Sequence, residues 1–199
     1  MSRDARTPLP ALWQTRGRMR IKAAHSSQGG DTVVGGLEGR ADVIHYKEDN
    51  KRFNYRIVGV CTRNGHVLLH RAITDDFWAL PGGRAELLEY SPDTLRREMK
   101  EELDVEVNVG RLLWISENFF TVEEDAWHEL SLYYLFDFPV GHQYYTSAEF
   151  HGIEDDGRLL FKWYPVSELA NTRLFPTFLR ESLACLPTSP VHILHRDED

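Results

Sequence analysis

The sequence predicts a single α/β domain in which one mixed layer of strands packs against helices. Short segments with strand-like apolar patterns are interrupted by one central and one late segment of helical periodicity. The chain has 199 residues, 42% of them hydrophobic and 27% charged, which suits one globular core with extensions. We therefore expect a mixed α/β layer fold.

The first half of the chain contains three predicted extended segments. Residues 53–61 alternate apolar and polar side chains and then become continuously apolar, as in a strand that enters a core. Asn64 and Gly65 form the dipeptide of a tight hairpin turn, so residues 67–70 are interpreted as the returning strand. Residues 77–80 form a short extended piece that ends at a Pro-Gly-Gly sequence.

The second half contains the remaining predicted strands and a closing helix. Residues 111–120 and 129–138 are two strand candidates that we expect to pair in the sheet. Residues 161–164 form a short strand. Residues 175–186 carry apolar side chains at helical spacing and are predicted to form the last helix.

A central helix is predicted over residues 91–103. Ser91 is a typical N-cap residue, and Pro92 suits the first helical position. At 100° per residue, Leu95, Met99 and Leu103 share one apolar face. This face can dock the helix on the sheet.

Three glutamates lie beside that apolar face. Glu98, Glu101 and Glu102 have the spacing i, i+3 and i+4, at which like charges cost about 0.2 to 0.5 kcal/mol per pair. A divalent cation would turn this repulsion into binding, and Mg²⁺ prefers a few carboxylate oxygens together with waters and phosphate oxygens. The alternative interpretation is a solvated acidic face, which is common on helices.

The wider pattern resembles the Nudix box, which reads G, five residues, E, seven residues, R-E-apolar-x-E-E-x-G-apolar. This chain has Gly83, Glu89 and the sequence REMKEEL over residues 97–103, followed by Asp104 and Val105. The resemblance covers about residues 53–186 and implies the Nudix fold, a mixed β-sheet sandwiched between α-helices in a single domain.

Two positions depart from the family pattern. Asp104 replaces the final glycine, which in the family ends the helix, so we expect a strained or shifted helix exit. Leu88 stands where a glycine often precedes the box glutamate, so the loop is expected to differ locally. Neither change removes a carboxylate.

The resemblance also implies a metal site. Glu98 and Glu102 would be the principal ligands of Mg²⁺, or of Mn²⁺ as a substitute. Glu101 would be a further ligand or a water-orienting base, and the Gly82 carbonyl would be another ligand.

Four further side chains are implied or suggested as site residues. Glu89 and Arg97 would form an ion pair that holds the loop against the helix, and the alternative is an ordinary surface salt bridge. Arg84 is a candidate phosphate contact. Glu129 is the first candidate for an additional carboxylate or substrate contact, ahead of three other glutamates, Glu117, Glu149 and Glu154.

The implied activity is Mg²⁺-dependent hydrolysis of a diphosphate bond by attack of water at phosphorus. The expected substrate is a nucleoside diphosphate linked to another moiety, of the nucleoside triphosphate or sugar nucleotide type. Two alternatives stay open: a non-catalytic Nudix-fold module that binds nucleotides, and an RNA 5′-end pyrophosphohydrolase.

Composition suggests the surroundings of the domain, which we place at residues 41–188. Residues 1–40 are predicted to be a flexible extension, because they combine an arginine-rich start with a Gly/Ser-rich stretch, although a transit peptide is an alternative. Residues 189–199 are predicted to be a C-terminal tail. A net charge of −8 argues against general binding to nucleic acid or membranes. Two distant cysteines and the lack of a long apolar run favour a soluble cytoplasmic protein, with a homodimer left open.

Overall fold

The computed structural model describes residues 43–198, so the predicted extension over residues 1–40 lies outside the described residues. Within this range the strands are, in chain order, β1 (His45–Glu48), β2 (Lys51–Val60), β3 (Thr62–Arg63), β4 (His66–Ala72), β5 (Gly82–Arg84), β6 (Asn108–Val122), β7 (Asp125–Asp137), β8 (Glu149–His151), β9 (Leu159–Pro165) and β10 (Val191–Arg196). The α-helices there are α1 (Ser91–Leu103) and α2 (Leu179–Ser182).

The strands form two sheets. The larger sheet has the order β1-β2-β7-β6-β10, with β5 paired to β2. It is mixed because β2/β7 and β6/β10 are parallel, whereas its other pairs are antiparallel. The smaller sheet is antiparallel, with the order β3-β4-β9-β8. The predicted mixed α/β domain is confirmed, as is the pairing of the two long strands β6 and β7.

Neighbouring residues of β2 point to opposite faces of the larger sheet, and each face is covered by a helix. Ile57 packs in the same buried cluster as Leu95 and Met99 of α1. Val58 packs in a second cluster with Leu179 of α2. Burying these apolar faces is the main stabilising term for both helices. The sheet therefore lies between helices, and no helix of the described residues is long and apolar enough to cross a membrane.

The start and end of α1 differ in how well the sequence predicts them. The helix begins as expected, but its N-cap is Tyr90 rather than Ser91, whose hydroxyl instead shares a 2.8 Å hydrogen bond with the Tyr134 hydroxyl. The Ser91 hydroxyl is therefore bonded to a residue of β7 and does not cap the helix. At the other end Asp104 is left-handed, with φ 55°, and its N–H donates to the Lys100 carbonyl at 3.0 Å. The exit is strained as expected and is not shifted.

The C-terminal part of the chain differs most from the sequence interpretation. Of the helix predicted over residues 175–186, only α2 is α-helical, because the Thr177 N–H donates to the Asp197 carboxylate and the Arg180 N–H bonds back only three residues. The segment 189–199, interpreted as a tail, contains β10, which adds a parallel strand to β6. Its alternating side chains are largely exposed, so its sequence lacks the apolar signal of a core strand.

Candidate active site

Two adjacent glycines bring the backbone of β5 against both the sheet and the glutamate helix. Gly82 has φ +137°, and a Cβ atom there would lie 2.1 Å from the Ile57 carbonyl oxygen of β2. A Cβ atom on Gly83 would lie 2.1 Å from Cδ of Glu98 and 2.2 to 2.3 Å from its carboxylate oxygens. Only residues without a side chain allow these approaches, so the Gly-Gly pair seats the Glu98 carboxylate directly over the loop.

Arg97 ties this loop to α1. Its Nε and Nη2 donate to the two carboxylate oxygens of Glu89 at 2.9 and 3.1 Å, and Nη2 also donates to the Arg84 carbonyl at 3.0 Å. Burial alone would raise the pKa of Glu89, but hydrogen bonds from Arg97 and Thr94 hold that pKa below its ordinary value. This forked, partly buried arrangement differs from a mobile surface salt bridge. It is the geometry that the loop-fixing hypothesis requires.

The three helix glutamates differ in exposure. The side chain of Glu102 is 8% exposed and that of Glu98 is 16% exposed, whereas Glu101 is 51% exposed. Burial raises the pKa of Glu98 and of Glu102, and repulsion from Glu98 raises that of Glu102 further. Burial also raises the pKa of Glu101. A buried carboxylate beside a partly buried one favours a cation or a shared proton between them.

The donor set fits a hard divalent cation. Oxygen Oε2 of Glu102 is buried and has no hydrogen-bond partner among the described residues, which is costly for a carboxylate unless a cation satisfies it. In residues 43–198 no three Asp, Glu, His or Cys side chains are already grouped as a complete metal site. Mg²⁺ needs only a few protein carboxylates, since waters and substrate oxygens complete its shell.

Arg56 is a site residue that sequence reasoning missed. It is buried on β2, and its Nη2 donates to the Gly82 carbonyl at 2.9 Å, so the carbonyl proposed as a metal ligand already accepts one hydrogen bond. Its positive charge counteracts the raised pKa of Glu98 and Glu102. The signal was an arginine directly before the part of the strand that becomes continuously apolar, from Ile57 onward.

His70 is the second missed residue. It is buried on β4, with Nδ1 3.9 Å from Oε2 of Glu102. Burial lowers the pKa of His70 to about 3, so the ring is neutral near pH 7 and forms no ion pair with the glutamate. A histidine whose neighbours on the same strand face, Leu68 and Ala72, are apolar was the available signal.

Glu129 and Arg84 are joined through Asn54. The buried Glu129 carboxylate accepts hydrogen bonds from Asn54 Nδ2 at 2.8 Å and from Ser131 Oγ at 3.0 Å, and Arg84 Nε donates to Asn54 Oδ1 at 2.6 Å. Burial raises the pKa of Glu129, while Arg56 counteracts the rise. Glu129 faces a cleft with these further lining residues: Arg56, Val58, Ala79, Leu80, Tyr133, Phe175, Pro176 and Leu179.

The other candidate carboxylates fall in different places. Glu154 begins a 3-10 turn beside α1, and its charge raises the pKa of both Glu101 and Glu102. The preceding Ile153 N–H donates to the Glu102 carbonyl at 2.8 Å, which fixes the turn to the helix. Glu117 instead lies 2.9 Å from His192 at the surface, and Glu149 is exposed on β8. Of these three candidates beyond the box sequence, Glu154 is therefore the one that lies near the helix glutamates.

Comparison with known proteins identifies the family of this site. The model of the NUDIX domain matches residues 51–184. Among solved structures, the MutT protein from Bacillus halodurans has a TM-score of 0.50 at 14% identity, covering 71% of this chain and 89% of that chain. The MutT protein from Methanosarcina mazei Go1 has a TM-score of 0.49 at 15% identity, with 68% and 92% covered. The E. coli ORF135 protein has a TM-score of 0.43 at 20% identity, with 66% and 89% covered.

A search of curated proteins found no match. The domain match covers most of the chain, includes α1 and its preceding loop, and confirms the family and fold that the box sequence implies. The chain belongs to the Nudix family, whose enzymes are hydrolases of phosphorus-containing acid anhydrides.

Proposed function

We propose that this protein hydrolyses the diphosphate bond of a nucleoside diphosphate linked to another moiety, such as a nucleoside triphosphate or a sugar nucleotide, with Mg²⁺ or Mn²⁺. The observation that carries the proposal is the neighbouring carboxylates of the partly buried Glu98 and the buried Glu102, of which Oε2 of Glu102 lacks a hydrogen-bond partner within the described part of the chain. A soluble domain rarely keeps such a pair unless a cation offsets its cost.

In this proposal Glu98 and Glu102 hold the metal ion together with the Gly82 carbonyl, and Glu101 is either a further ligand or the base that orients the water. When bound, the ion neutralises diphosphate charge and lowers the pKa of a coordinated water. Arg97 keeps Glu98 at the loop through its 2.8 Å contact with Oε1. The Glu98 carboxylate is therefore held in position before substrate binds.

The proton of the attacking water needs an acceptor near the helix. Glu101 is the first choice where it is not itself a ligand, because it is the most exposed of the three helix glutamates and so the most accessible to water. Glu154 is the second choice, since its charge acts on the same residues. The water oxygen bonds to phosphorus, the anhydride P–O bond breaks, and the leaving phosphate oxygen takes the electron pair.

Substrate binding is assigned to the basic and cleft-lining side chains. Arg84 and Arg56, on neighbouring strands, would contact phosphate oxygens. Glu129 lines the cleft beside Tyr133 and Phe175, and it acts on substrate binding by holding Asn54, which in turn accepts a hydrogen bond from Arg84. We also propose a small-molecule partner and a cytoplasmic location, in which the free thiols of Cys61 and Cys185 stay reduced.

The test is product formation, followed by chromatography, from nucleoside triphosphates, sugar nucleotides, dinucleotides and 5′-triphosphorylated RNA, with Mg²⁺ or with EDTA. Triphosphates and RNA would release phosphate or pyrophosphate, whereas sugar nucleotides would give a nucleoside monophosphate and a sugar phosphate. Glu102→Gln should lose most of the turnover, by a factor of roughly 100 or more, because it removes the buried charge that holds the metal. Glu106→Gln, an exposed glutamate just beyond α1, is the matched control and should behave as wild type.

Each outcome points to one of the alternatives. Full activity of Glu102→Gln, or turnover in EDTA, would refute the metal-ligand assignment. Nucleotide binding without turnover on any substrate would favour a binding module. A strong preference for RNA that falls steeply with salt would favour a 5′-end hydrolase.

A further inference from the structure

Asp197, directly after β10, connects the C-terminal segment to the turn at Thr177. This turn follows Phe175 and Pro176, which line the cleft. Its Oδ1 accepts hydrogen bonds from the Thr177 N–H at 2.8 Å and from the Thr177 hydroxyl at 2.7 Å. Its Oδ2 accepts a hydrogen bond from Asn118 Nδ2 at 2.9 Å. His195 Nε2 lies 3.0 Å from Oδ1 and 2.9 Å from the Thr177 hydroxyl. One carboxylate thus joins β6, β10 and the turn.

This contact is buried and anchored. The Asp197 side chain is 8% exposed, and burying a carboxylate is costly unless hydrogen bonds satisfy it, as they do here. The backbone N–H of Asp197 donates to the Phe119 carbonyl at 3.0 Å, which continues the β10/β6 ladder and fixes the position of the side chain. The hydrogen bonds of Asp197 therefore attach the C-terminal segment to the domain.

Thr177 immediately follows the two residues that form one wall of the cleft. Phe175 and Pro176 line the cleft together with Glu129 and Arg56. On its other side the wall is held by the Phe175 N–H, which donates to the Trp78 carbonyl at 3.0 Å. The wall is therefore held at Phe175 by the hydrogen bond to Trp78, and at the following Thr177 by the hydrogen bonds to Asp197.

We propose that Asp197 is a positioning residue: it sets the Phe175-Pro176 wall through Thr177, so that the segment 191–197 determines substrate affinity rather than the hydrolytic step. The proposal rests on the function proposed above, because it takes this cleft to be the substrate site. None of the residues in the contact belongs to the glutamate helix.

Steady-state kinetics of Asp197→Ala, Asp197→Asn and Glu117→Ala test the proposal. Asp197→Ala should raise KM by about tenfold, the effect of losing a charged hydrogen-bond acceptor, with kcat within about twofold of wild type. Asp197→Asn keeps an acceptor for the Thr177 N–H, so its KM should lie between those of wild type and Asp197→Ala. Glu117→Ala removes a different contact between β6 and β10, with His192, and should leave KM unchanged.

Hydrogen exchange of a peptide over residues 174–183 gives a readout that needs no turnover. Exchange there should accelerate in Asp197→Ala and not in Glu117→Ala, while peptides from α1 stay unchanged. Unchanged exchange in this peptide, or a fall in kcat at constant KM, would overturn the positioning role. If Asp197→Ala fails to fold, Asp197→Asn gives the same two readouts.

Failure of the proposed function would look different. Wild-type protein would then hydrolyse no substrate of the panel, yet the exchange experiment would still decide whether Asp197 fixes the turn. Faster exchange with unaltered KM in an active enzyme would mean that the turn does not bind substrate, and would overturn the link to affinity.

Discussion

Gly83→Ala tests whether the loop seats the catalytic carboxylate. An added Cβ atom would lie 2.1 Å from Cδ of Glu98, against 3.4 Å or more in ordinary contact, so the carboxyl group must retreat by about 1.3 Å. A displacement of about 1 Å in a reacting constellation costs on the order of 100-fold in rate. We therefore expect kcat to fall by about that factor.

The same substitution should hardly change stability. The atoms that an alanine at Gly83 would meet are the end of a flexible side chain, and Gly83 is not among the described residues with positive φ. We expect the free energy of unfolding, measured in urea by tryptophan fluorescence, to change by less than about 1 kcal/mol. The variant separates the function of the loop from the stability of the fold.

Gly82→Ala is the matched comparison. Its Cβ atom would lie 2.1 Å from the Ile57 carbonyl oxygen, which is backbone and cannot rotate away, at a φ of +137°. This variant should lose more than about 3 kcal/mol of unfolding free energy. Wild-type kcat in Gly83→Ala would refute the seating of Glu98, and equal destabilisation by both variants would refute the distinction between the two glycines.

Three further predictions concern the loop. Arg97→Lys loses the forked contact with Glu89 and should lower both the unfolding free energy, by about 1 to 2 kcal/mol, and kcat, whereas wild-type values would show that charge alone suffices. Because the pKa of Glu89 is held below its ordinary value of 4.5, its contribution to stability is present above that pH and is lost as pH falls through the folded value. Glu89→Gln should therefore show a shallower acid loss of stability in urea titrations, and an unchanged slope would contradict this. Leu88→Gly relieves a left-handed backbone at φ 64° beneath a fully exposed side chain and should raise the unfolding free energy by roughly 0.5 to 1 kcal/mol, while a decrease would show that Leu88 packs in solution.

Local chemistry made α1 and its loop predictable. Leu95 and Met99 recur at helical spacing and are fully buried, so the docking face is encoded within one turn of sequence. Glu89 and Arg97 also lie in one local segment and meet as expected. The left-handed exit at Asp104 could be anticipated because that conformation depends on the residue itself.

Contacts between distant segments were not predictable. Arg56 reaches the Gly82 carbonyl only because β5 pairs with β2, and His70 meets Glu102 only because β4 packs near α1. Ser91 lost its capping role to a hydroxyl on β7. Each of these results depends on which strands become neighbours.

The sequence by itself determined the family and the glutamate helix with its loop, because these rest on side-chain chemistry and spacing within residues 83–105. It also determined the mixed α/β domain, because most strands and the central helix carry their own local apolar periodicity. Tertiary structure alone decided that the last residues form β10, that the closing helix shrinks to one turn, and that Asp197 reaches Thr177. The physical reason is that an exposed strand and a polar contact carry little local signal, and they form only once the sheet supplies their partners.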